Sequence, residues 1–171
     1  MAVTDAQRLA FACPPGQGEW DDIDLGLLDP ADEDERRMLI EAEHPEFREA
    51  IEDDVDEIHL GGRVVSPNLH IAMHEIVANQ LWADEPPEVW QTAQRLTAAG
   101  YDRHEVLHML GSVVAGEVWR ALAGDAHDIE RMRSELAALR ESWESWRDEA
   151  PLERSRNRAE RRAEERRRHT R

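Results

Sequence analysis

The stretch that decides the fold is 66–119, chiefly SPNLHIAMHEIVANQL (66–81) and YDRHEVLHMLGSVVAGEVW (101–119). Each part holds a histidine pair, His70 with His74 and His104 with His108, at i,i+4 spacing. On a helix such a pair points the same way, about 40° apart around the axis and one turn apart along it. Both parts read as helix starts. Ser66-Pro67 opens a helix running to about 83, with proline at the first helical position. Asp102 with Glu105 matches a capping box and opens a second helix, ending at Gly124. Four of the eight histidines therefore sit at two helix starts.

The periodicity also puts them on core-facing stripes. The face of His70 and His74 continues as Val77 and Leu81; that of His104 and His108 continues as Gly111, Ala115 and Leu122. Gly111 and Ala115 are small enough to let a neighbouring helix approach closely. One helix, from Pro86-Pro87 to Ala99 with Gly100 as its C-terminal cap, connects the two. An up-down-up arrangement makes the outer two helices parallel and brings both pairs to one end of a bundle. Neutral imidazole is a nitrogen ligand for zinc, iron and nickel, so the pattern implies a divalent transition metal and indicates no organic cofactor. A hydrogen-bonded polar cluster is the alternative use of the same four residues. His44, ahead of Pro45, is a further candidate ligand; His59 and His127 have weaker claims, and His169 belongs to the tail.

His104-Glu105-Val106-Leu107-His108 also spells H-E-x-x-H, in which a glutamate activates a metal-bound water. That makes Glu105 the candidate catalytic residue for metal-dependent hydrolysis. Gly111 continues the longer metzincin pattern, but Val114 stands where its third histidine would fall. A helical composition leaves little room for the sheet that normally holds a peptide substrate, and Glu105 has a structural role in the capping box.

Around this centre the chain reads as all-α: a helical bundle over 29–150 with a weakly structured, flexible N-terminal arm (1–28) and an arginine-rich basic tail (151–171). Pro14, Pro15, Gly16 and Gly18 punctuate the arm. Asp29-Pro30 reads as the first firm helix start, and His44-Pro45 interrupts that helix. A short helix over about 45–54 turns Phe47 and Ile51 inward. Gly61-Gly62 predicts a loop or small hairpin. The helix over about 126–149 carries Ile129, Met132, Leu136, Leu139, Trp143 and Trp146 as a heptad seam, suited to a bundle or to a homo-oligomer contact.

The formal charge of −17 argues against non-specific DNA binding by the body of the protein. The tail is different: residues 152–171 carry nine arginines against four glutamates. That suits a solubilising tail, contact with RNA or the ribosome, or docking on an acidic partner, the acidic segment 29–57 included. Cys13 alone excludes an internal disulfide and a cysteine-based zinc cluster. With no signal-peptide pattern and no run of about 18 apolar residues, the expectation is a cytoplasmic protein without a membrane partner.

Several motifs agree in order and spacing with one family. His44-Pro45-Glu46-Phe47, Pro67-Asn68-Leu69-His70 with Met73-His74, Gln80, Pro86-Pro87, His104, His108 and Trp119 resemble an uncharacterised bacterial family, domain of unknown function 1841. The resemblance spans about residues 37–122. It implies that His44, His70, His74, His104 and His108 form one set, and it implies no particular reaction. Arg48 replaces a second histidine expected after the His-Pro-Glu segment, and Ser112 an expected acid; both departures argue against a full two-metal site. Three functions remain: a helical metal-binding protein of unknown activity, a metal-dependent hydrolase, or a non-catalytic interaction module with structural histidines.

Overall fold

A computed structural model describes residues 5–126 and 128–149. His127, His169, the tail 151–171 and the side chain of Trp146 lie outside the described residues. The described chain is helical, with α1 Asp5–Ala12, α2 Glu33–Ala42, α3 Arg48–Glu52, α4 Pro67–Ala83, α5 Pro87–Ala98, α6 Arg103–Leu122 and α7 Ile129–Glu149. Two small antiparallel hairpins interrupt it. Glu19–Trp20 (β1) pairs with Ile23–Asp24 (β2), and Ile58–Leu60 (β3) pairs with Arg63–Val65 (β4). The second hairpin turns at Gly61 and Gly62, both at positive φ, as the Gly-Gly step requires.

Local chemistry sets most helix ends. The Asp102 carboxylate accepts from the Glu105 amide at 2.9 Å and starts α6. Asp128 does the same for α7, taking the Glu130 and Arg131 amides. α2 begins later than Asp29-Pro30 predicts. Asp32 is the true cap, accepting from Asp34 and Glu35, while Asp29 closes a turn onto the Ala31 amide. The Asp-Pro step is competent to start a helix, but the second aspartate lies better placed for the apolar face of Leu39 and Ile40.

The N-terminal segment is more ordered than its prolines and glycines suggest. α1 packs on α4, burying Ala12 and Cys13. Its Arg8 is itself buried and donates to the Leu81 and Trp82 carbonyls in the last turn of α4. Arg103, at the start of α6, serves α1 in the same way, donating to the Phe11 and Ala12 carbonyls while pairing with Glu43 at 2.9 Å. These long-range guanidinium caps are invisible to local propensity.

The main core joins α4, α5, α6 and α7 around Val77, Leu81, Leu96, Val106, Met109 and Leu110. The heptad residues Met132, Leu136 and Leu139 of α7 are buried in this same core. That seam is thus used within the chain. A second core, Ile40, Phe47, Ile71 and Ala78, lies between α2, α3 and α4. The histidines sit between the two.

A candidate metal centre

α4 and α6 bring the two predicted pairs together. Ring centroids are 5.0 Å apart for His70–His108, 5.2 Å for His74–His104 and 4.9 Å for His74–His108. The order is the reverse of the expected one: parallel helices would set His70 beside His104. Met73 faces Gly111, where an added Cβ would stand 3.8 Å from the Met73 Cβ, so the two helices approach closely here. The ring contacts thus place the histidines where the two helices cross. Asp84, in the left-handed region at φ 56°, turns the chain at the end of α4, and α5 then packs on α6 and α7 more than on α4. The i,i+4 spacing delivers both pairs to the crossing whichever way the helices run. The stripe itself does not last along α6, since Leu122 is exposed.

The fifth histidine comes from outside this pair of helices and lies at the centre. Pro45 ends helical geometry after α2, which turns His44 under α4; its ring is 4.5 Å from His74, 4.9 Å from His70 and 5.0 Å from His104. His44 is 1% exposed. Its Nδ1 lies 2.7 Å from the Ile40 carbonyl. A carbonyl only accepts, so Nδ1 carries the hydrogen and Nε2 presents a bare lone pair. The same second contact fixes the tautomer of most metal-bound histidines.

One nitrogen each from His44, His74, His104 and His108 lies within 4.8 Å of all the others. Imidazole nitrogens on one tetrahedral zinc ion are about 3.4 Å apart, given bonds of about 2.1 Å, so the rings would draw together by up to about 1.4 Å to complete the site. The tightest set thus takes His44 where the helix periodicity alone would take His70. His70 borders it, with its ring 4.8 Å from that of His74. The Nε2 atoms of His44, His70, His74 and His108 are buried without a hydrogen-bond partner. Each such atom costs about 1–3 kcal/mol unless something fills its lone pair.

Burial and proximity favour the neutral form of His70, His74, His104 and His108. Loss of solvation, followed by repulsion from neighbouring imidazoles, lowers His70 and His108 from the usual 6.5 to about 4 and His74 to about 2. His104 is lowered too, first by burial and then by His44, against the opposing pull of Glu43 and Asp102. Neutral imidazole is the form that binds metal.

On one side the cluster opens into a cavity of about 330 Å³. His70, His74 and His108 form its polar end; Leu69, Met73, Leu107, Gly111 and Trp143 form its apolar walls. Glu105 is not among the four grouped donors. Its carboxylate accepts instead from the Trp143 indole N–H at 3.4 Å, supporting one cavity wall. His59 lies in the exposed hairpin strand β3, away from this group.

A family model described as a domain of unknown function (DUF1841) matches residues 27–133. The chain belongs to this family, whose matched region contains all five clustered histidines. No curated protein and no solved structure matches the chain.

Proposed function

We propose that this protein binds one divalent transition metal through His44, His74, His104 and His108, with His70 beside it. The convergence of buried, unpartnered imidazole nitrogens carries the reading: a closed polar cluster would have paired them with each other, a carbonyl or a hydroxyl. His44, whose tautomer is set by the Ile40 carbonyl, adds a nitrogen already prepared to ligate. An all-nitrogen donor set suits zinc, iron and nickel over calcium or magnesium. The cavity against three of the histidines favours a centre that admits an outside ligand over a closed structural site. Hydrolysis driven by Glu105 is the weaker reading, since that carboxylate is turned to Trp143. No helix among the described residues is long and apolar enough to cross a membrane; a cytoplasmic location is part of the same proposal, supported by the single cysteine. Equilibrium dialysis of untagged protein against zinc, nickel and cobalt tests the reading, with about one ion per chain expected and none in the His74→Ala/His108→Ala double variant.

A further inference from the structure

The apolar cavity asks for an occupant, and the charge of the centre says which kind. It runs from Val65 at the end of β4 and Ser66 just before α4 across Met73 to Gly111 and Trp143, and it ends on His70, His74 and His108. His74 is 5% exposed, lines the cavity and has an Nε2 without a partner. The four grouped donors are all imidazoles, so they bring no negative charge to an ion among them. A divalent ion there would keep its double charge among buried neutral donors, with Glu43, Glu46 and Asp102 acting on the cluster only from outside it. A ligand that completes this arrangement has an anionic head for the metal and an apolar body for the walls.

We propose, building on the metal reading above, that the cavity binds a small monocarboxylate with an aliphatic or aromatic body. His44, His74, His104 and His108 would hold the ion, whose charge would draw the carboxylate to the polar end of the cavity. The body lies between Leu69, Met73, Leu107 and Trp143. His70, whose ring stands beside the grouped donors and at the polar end of the cavity, flanks the head and offers it a hydrogen bond. An alcohol of the same length lacks the charge, and acetate lacks the body, so each takes only half of the recognition.

The test uses the full-length chain loaded with cobalt(II), whose visible absorption reports ligand exchange, and octanoate, octanol and acetate as probes. Octanoate is expected to change the cobalt spectrum with at least tenfold tighter apparent binding than acetate, and octanol to leave the spectrum unchanged. Gly111→Leu places a side chain in the cavity, and it is expected to retain cobalt while weakening octanoate at least tenfold and acetate by less than twofold. Leu69→Trp, on a half-exposed position at the rim, serves if the first variant does not fold. A chain that takes up no cobalt overturns the metal reading and this one together. A chain that binds cobalt but shows octanoate no tighter than acetate, or equally tight in the filled variant, overturns this inference alone.

Discussion

Replacing His44 with leucine should move the metal-free and metal-loaded proteins in opposite directions. In the metal-free chain His44 is 1% exposed and its Nε2 lacks a partner. Removing that nitrogen returns about 1–3 kcal/mol, while losing the Nδ1 bond to Ile40 costs about 0.5–1.5 kcal/mol. The Ile40 carbonyl keeps the Glu43 amide, at 3.2 Å, as a partner. Leucine also suits neighbours such as Phe47 and Ile40 in the adjoining core. The metal-free variant should therefore gain about 0–2 kcal/mol, or up to about 8 °C in Tm for a domain of this size. In the loaded protein one ligand is gone. A hundredfold loss of affinity, with metal at about a thousand times the original Kd, removes about 2.7 kcal/mol of linked stabilisation. Thermal unfolding at pH 7.5, once in chelator and once in excess zinc, reads both terms. A variant destabilised in chelator by more than about 2 kcal/mol would show that His44 is a packing residue, and unchanged zinc stabilisation would remove it from the site.

Other outcomes follow from the same geometry. His74→Ala and His108→Ala should each lower metal occupancy sharply and reduce the metal-dependent rise in Tm, read by dialysis and calorimetry. Metal-free stability should fall with acid: His70 and His108 titrate near 4 when folded and 6.5 when unfolded, so the unfolded chain takes up protons first. The histidine contribution should be flat above about pH 6.5 and decline steadily from there towards pH 4, measured as the urea midpoint; a midpoint that rises with acid in that window contradicts buried neutral rings. Glu105→Gln should keep fold and metal content, because glutamine retains an oxygen to accept from Trp143 and the Asp102 cap is untouched. A metal-dependent hydrolysis lost in that variant alone would reinstate Glu105 as a catalytic base.

Much of the fold was legible because its signals are local. The cap at Asp102, the proline start after Ser66, the break at His44-Pro45 and the Gly61-Gly62 turn each act within a few residues. The two i,i+4 pairs were legible for the same reason. What escaped depends on distant partners. α1 is held by Arg8 at the end of α4 and by Arg103 from the start of α6, contacts that span 73 and 91 residues. The pairing of His70 with His108 and of His74 with His104 depends on how α4 and α6 meet, which no spacing in either helix encodes. His44 was visible as a candidate and not as the centre, since its place is set by an irregular link after α2 and not by a periodic face. Its proline neighbour was the available clue.

The central claim is that these imidazoles converge on a metal. X-ray absorption at the zinc edge of the untagged, zinc-loaded protein tests it most directly, because it counts and identifies the donors. One zinc per chain with at least four nitrogen ligands at about 2.0–2.1 Å and multiple scattering from imidazole rings is the predicted result. Zinc coordinated mainly by oxygen, or a spectrum unchanged in the His74→Ala/His108→Ala double variant, would contradict it.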